Sequence, residues 1–161
     1  LALAEARHAG HPIIAMVIGR AISGAFLCHG LQADHILSLT SEFGTMIHVM
    51  PLSSIARITR QDVERLSELS RTNPVFAAGP EFFWQLGGVE ALIQAIPEMK
   101  GTIVRHIAEV RQQKQAAGVT ATGPQGRGIA GEARGGRKMR NVILAQMREE
   151  YRAVAARYQP A

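Results

Sequence analysis

The chain holds one cysteine, Cys28, so no disulfide can form within it. That fits a reducing compartment, and a cytoplasmic location is expected. Cys28 itself reads as a small core residue. No apolar run reaches the roughly 18 residues that a bilayer-spanning helix needs, so no membrane association is expected. The six histidines show no HxxxH or HxH spacing joined to a carboxylate, so no metal is expected. The basic stretch Gly123–Arg140 lacks aromatic residues for stacking bases, which argues against nucleic acid. The chain does not open on methionine. LALAEARHAGHP reads as the end of a helix and not as a signal peptide, and an upstream portion is expected to be missing.

What is present is an uneven charge. Residues 1–119 hold ten basic and ten acidic residues, whereas residues 120–161 hold eight basic and three acidic. The net charge of +5 therefore belongs to a basic tail on a neutral body. Three regions are expected: a core with a helical extension over 1–117, a glycine-rich basic loop over 118–137, and a C-terminal helix over 138–161.

The apolar runs Ile13–Ile18, Ala25–Leu31 and Ile36–Leu39 read as buried strand, short helix and buried strand. Met46–Val49 reads as a further strand. Ser53–Ile58 and Gln61–Ser70 read as helices, the second capped by Thr59, and Asn73-Pro74 breaks the chain. Pro80–Leu86, Val89–Ala95, Glu98–Ala117 and Lys138–Tyr158 also read as helical. In the long helix, Ile103, Ile107 and Val110 are expected inward, with Arg105, Glu109 and Lys114 outward. Short continuous apolar strands alternating with helices give an α/β class, with a sheet covered on both faces.

The candidate site is the segment Gly19–Ala25, GRAISGA. Gly19 permits a sharp exit from a strand, and Ser23-Gly24-Ala25 opens a helix on small residues, leaving its free N–H groups approachable. Such a turn holds an oxyanion without a charged side chain. Spacing alone equally allows tight helix–strand packing with no ligand. GRAISGA is not the GxGxxG dinucleotide fingerprint, and AISGA is not a GxSxG elbow, so Ser23 reads as an N-cap and not a nucleophile.

PIIAMVIGRAISGAFLCHGLQADHILSL resembles the core of the crotonase and acyl-CoA carboxyltransferase superfamily. GRAISGAFLCHGLQADHILSL, HVMPLSSIARITR and NPVFAAGPEFFWQLGGVEALI resemble more closely the gamma-subunit family of biotin-independent malonate decarboxylases. The resemblance implies a crotonase-like (ClpP/crotonase) ββα core that lacks upstream strands, followed by a helical C-terminal half. It implies decarboxylation of a malonyl thioester on an acyl carrier protein through an enolate, with a beta subunit as partner. It implies a CoA-like phosphopantetheine arm on the carrier, with no biotin and no directly bound cofactor. It places one oxyanion donor at Gly24, with Ala25 the further candidate for backbone stabilisation beside Gly19 and Ser23, and takes the other donor from an upstream strand end, in the missing portion or in the partner subunit.

Val49-Met50-Pro51-Leu52 lacks the glutamate of enoyl-CoA hydratases. His48 or His29 is a candidate proton donor to the enolate carbon, against a simple hydrogen-bonding role. Arg57 and Arg60 are candidates for a substrate carboxylate or a carrier-arm phosphate, against surface salt bridges. Phe82-Phe83-Trp84 reads as an acyl wall or as core. The basic loop suits an acidic carrier protein, or is simply solvated. Two other functions stay open: a biotin-dependent carboxyltransferase subunit, and a non-catalytic scaffold for a beta subunit.

Overall fold

The computed structural model describes residues 2–48, 50–72, 78–119 and 121–158. Val49 and the Asn73-Pro74 break lie outside the described residues. The elements run α1 (Ala2–His8), β1 (Ile14–Val17), β2 (Arg20–Ile22), α2 (Ser23–Cys28), β3 (His35–Leu39), β4 (Met46–His48), α3 (Leu52–Thr59), α4 (Val63–Thr72), α5 (Pro80–Gln85), β5 (Ala91–Ile93), α6 (Met99–Ala117), α7 (Pro124–Ala133) and α8 (Arg140–Val154).

Two small parallel sheets organise them. The first has the order β1-β3-β5 and the second pairs β2 with β4. All five residues of β3 are buried, as a central strand covered on both faces requires. The pleat divides them. Ile36 joins Val17, Phe26, Ala33, Ile47 and Val89 on one face. Leu37 and Leu39 join Ile93 on the other, packed by Met99 and Ile103 of α6.

Val89–Ala95 is not helical. Residues Ala91–Ile93 form β5 beside Leu37–Leu39. Its apolar run is too short for periodicity to separate strand from buried helix. The α4 cap also differs. Asp62 Oδ1 accepts the Arg65 N–H, and Thr59 instead donates its hydroxyl to the Ile55 carbonyl within α3.

The segment 118–137 is not a loop throughout, because it contains α7. Its glycines are needed for close approach. A Cβ on Gly131 would stand 2.1 Å from the Leu86 carbonyl oxygen, and one on Gly136 would stand 2.3 Å from that of Gln85. α7 thus lies backbone against backbone on the turn after α5. Gly126, Gly128 and Gly131 happen to spell GxGxxG, but inside a helix with no strand leading into it, so the dinucleotide context is missing.

The arginines of this region turn inward as well. Buried Arg127 donates to the carbonyls of Leu31 and Ala33. Arg134 donates to the carbonyls of Trp84 and Val89 at 2.6 and 2.7 Å and stacks over the Trp84 ring. Arg137 donates to Leu86. Much of the tail's positive charge therefore fastens the tail to the body.

Asp34 is the polar centre of the body. Its carboxylate accepts the Ile13 N–H and the Thr122 hydroxyl at 2.8 Å each and pairs with Lys114 at 2.8 Å. Arg7 approaches at 3.5 Å. Lys114, expected outward, is accordingly buried and also donates to the His11 carbonyl. Burial alone pushes the Asp34 carboxyl up, but the Lys114 and Thr122 hydrogen bonds outweigh it and the pKa falls below the ordinary value.

Candidate functional site

β1 stops at Val17 because the chain turns at Ile18-Gly19 and re-enters as β2, which pairs with β4 in the second sheet. The Gly19 carbonyl accepts the Met46 N–H, so the turn is tied to the start of β4. A cleft of about 430 Å³ runs along residues 15–22, with Phe26 and Gly30 at its edge.

β2 then passes straight into α2 through Ser23. Ser23 has φ +52, the left-handed region that a non-glycine residue seldom occupies. This reversal lets a strand become a helix without an intervening loop. Ser23 is thus the first residue of α2, and its backbone makes the turn.

Ser23 and Gly24 are exposed. A Cβ built on Gly24 meets nothing within 4 Å, and the same holds for Gly19. Tight packing therefore does not explain either glycine. The first-turn N–H groups of a helix have no intrahelical partner. Among the described residues, no backbone acceptor outside α2 takes the Gly24 N–H. The turn leaves the Gly24 amide beside open space, as a donor to a developing oxyanion must be.

The structure brings His48 to this turn. It stands opposite Ile22 in the β2–β4 ladder, one residue before Ser23. Its Nδ1 is buried and has no hydrogen-bond partner among the described residues. Burial and the Arg20 charge hold its pKa below the ordinary histidine value. Neither Arg57 nor Arg60 lines the cleft. Both are exposed at the end of α3 and make no ion pair among the described residues; Arg60, with φ +56, is the C-cap. His29 is exposed after α2.

Cys28 is exposed, not core. It lines a second cleft of about 660 Å³ with Leu27, Leu31, Phe83, Leu86 and Arg137. α2 is short and one of its faces looks out on the seat of α7, so an apolar run did not mean full burial. Phe83 packs edge-on against Phe26, with ring centroids 5.7 Å apart, and so serves the core. Trp84 lies outside it, under Arg134.

One group of side chains was invisible to spacing rules. His35 on β3 meets His106 on α6, 71 residues away, with Nδ1 atoms 2.8 Å apart. Glu109 Oε2 lies 3.0 Å from the same His106 nitrogen. Only the i, i+3 pair His106 and Glu109 carries a sequence signal, and it is a weak one.

Comparison with known proteins fits this architecture. The family model for the malonate decarboxylase gamma subunit, MdcE, matches residues 1–151. The chain is 64% identical over 155 residues to the malonyl-S-ACP:biotin-protein carboxyltransferase MADD of Malonomonas rubra, covering 96% of this chain and 53% of that protein. It resembles a chain of the Pseudomonas malonate decarboxylase MdcD-MdcE hetero-dimer, with TM-score 0.64 and 25% identity over 92% of this chain and 54% of that one. A chain of the Pseudomonas hetero-tetramer in complex with coenzyme A gives TM-score 0.63 and 29% identity, covering 92% and 56%. The chain spans about half the length of these relatives. No described helix is long and apolar enough to cross a membrane. With nearly the whole sequence matched and the strand–turn–helix in place, the chain belongs to the malonate decarboxylase gamma-subunit family.

Proposed function

We propose that this chain, within a crotonase-like subunit, stabilises the enolate formed when a malonyl thioester loses its carboxylate. The bond between the carboxylate carbon and the methylene breaks, its electron pair flows into the thioester carbonyl, and CO₂ departs. The charge then rests on the thioester oxygen, and the Gly24 and Ala25 amides donate to it. A proton delivered to the methylene carbon gives the acetyl thioester. A donor of this kind is worth about 3–4 kcal/mol when removed.

The observation that carries this reading is Gly24, a glycine at an exposed helix start with nothing around it to demand a glycine. Gly19 and Ser23 shape the turn. His48 is the proton donor of this reading, supported by its position opposite Ile22; burial and then Arg20 hold its pKa below the ordinary histidine value. The substrate is a malonyl group on the phosphopantetheine arm of an acyl carrier protein, the partner is a decarboxylase beta subunit, and a further donor comes from an upstream strand end of this subunit or from that partner. Arg57 and Arg60 meet the carrier arm from outside the cleft.

A second reading concerns where the carboxyl goes. The 64% identical Malonomonas protein is named for transfer to a biotin protein, whereas the Pseudomonas malonate decarboxylases are only 25–29% identical. The closer likeness favours a biotin-bearing acceptor over free CO₂. Both fates share the enolate. The test is to purify the full-length subunit with its partner and follow malonyl-carrier carrying a labelled carboxylate. Acetyl-carrier formation supports the reading, and none with the partner present overturns it. Loss of turnover on adding avidin assigns the acceptor as biotin.

A further inference from the structure

The cluster of His35, His106 and Glu109 plays no part in the enolate chemistry. β3 points His35 to the same face as Leu37 and Leu39, the face that α6 covers. One turn of α6 then presents His106 and Glu109 together. The three ligand atoms lie within 4.8 Å of one another. The rings meet at 76° with centroids 5.0 Å apart, so they converge through their nitrogens and do not stack.

A proton count separates this cluster from an ordinary hydrogen-bonded tie. A ring nitrogen offers either one N–H or one lone pair. His106 Nδ1 faces two partners, His35 Nδ1 at 2.8 Å and Glu109 Oε2 at 3.0 Å. If it donates to Glu109, it has no second proton for His35. If it accepts from His35, its lone pair faces a carboxylate oxygen. No protonation state of the two rings makes both contacts full two-centre hydrogen bonds. A single cation placed between the three atoms satisfies all of them at once.

We propose that His35 Nδ1, His106 Nδ1 and Glu109 bind a divalent transition-metal ion of the zinc class, with water completing the shell, and that the ion clamps α6 to β3. Two imidazoles and one carboxylate form a known zinc donor set, with bonds of about 2.0–2.2 Å. Tetrahedral placement at those lengths sets donor atoms about 3.3–3.4 Å apart, so the two imidazole nitrogens must part by about half an ångström through small ring rotations, while Glu109 follows with its own side chain. Its side chain is 40% exposed, which also gives the ion a way in. Asp34 is spent on Lys114 and Thr122 and is not a ligand.

The test uses the full-length subunit in the complex with which it purifies, stripped with a chelator. Zn²⁺ is titrated in competition with a chromophoric chelator, and Co²⁺ is titrated by visible absorption. One equivalent of Zn²⁺ and the intense visible bands of four-coordinate Co²⁺ are expected. Glu109→Gln, a substitution at a partly exposed position that should not unfold the protein, is expected to weaken Zn²⁺ at least tenfold with unchanged circular dichroism. His8→Ala, at the exposed end of α1, should leave affinity unchanged. No bound equivalent, a pale six-coordinate Co²⁺ spectrum, or an affinity indifferent to Glu109→Gln each overturns the proposal. Decarboxylation is not read in this experiment, so its outcome is independent of the enolate proposal.

Discussion

Lys114 Nζ lies 2.8 Å from Asp34 Oδ2, with both side chains closed off from solvent. The pair joins α6 to the start of β3, and Asp34 at the same time holds the Ile13 N–H and Thr122. Removing one member of a buried ion pair strands the other, at a cost of about 3–5 kcal/mol. Lys114→Met is therefore expected to lower unfolding free energy by that amount in urea titration. A loss below 1 kcal/mol would show that Arg7 takes over the carboxylate.

Gly24 separates function from folding. Its surroundings leave room for a side chain, so Gly24→Val should preserve the circular dichroism spectrum and the assembly with its partner. Turnover should fall about 100-fold, the scale of losing an oxyanion donor. An assembled complex with normal turnover would make the chain a scaffold.

His48 sets a pH expectation. Its pKa lies below the ordinary histidine value, mainly through burial and then through Arg20. As a proton donor it must be charged, so kcat should rise as pH falls below the ordinary histidine range. His48→Gln should remove that acid-side rise. A wild-type profile flat across the window would deny His48 the role.

The two kinds of glycine predict opposite signs. Gly131→Ala drives a Cβ onto the Leu86 carbonyl and should cost about 1–3 kcal/mol, with faster proteolysis across 124–133. Gly101→Ala on α6 meets nothing within 4 Å and should stabilise by about 0.4–1 kcal/mol. Matched urea titrations of the two variants check both.

The alternation of apolar runs made β1, β3 and α6 legible, because a central strand must be apolar on both faces. The glycine turn at Gly19 and the small-residue helix start at Ser23-Gly24-Ala25 were legible from their residues and the family resemblance. β2 was not, because Arg20-Ala21-Ile22 is short and half exposed, and only pairing with β4 makes it a strand. Lys114 misled because a charged residue on a helix ordinarily faces water, and nothing in its own helix announces Asp34. Cys28 misled because an apolar run was equated with burial. The meeting of His35 with His106 is a product of packing alone and leaves no trace in local spacing.

The segment 118–137 looks like an ideal place to splice in a tag or lengthen a linker. Its seat against residues 85–88 is built from main-chain atoms with no slack, and its Arg127 reaches through to the carbonyls at the start of β3. A stretch that resembles the most permissive part of the molecule is thereby among its least forgiving. Drift or insertion there would loosen the central strand itself.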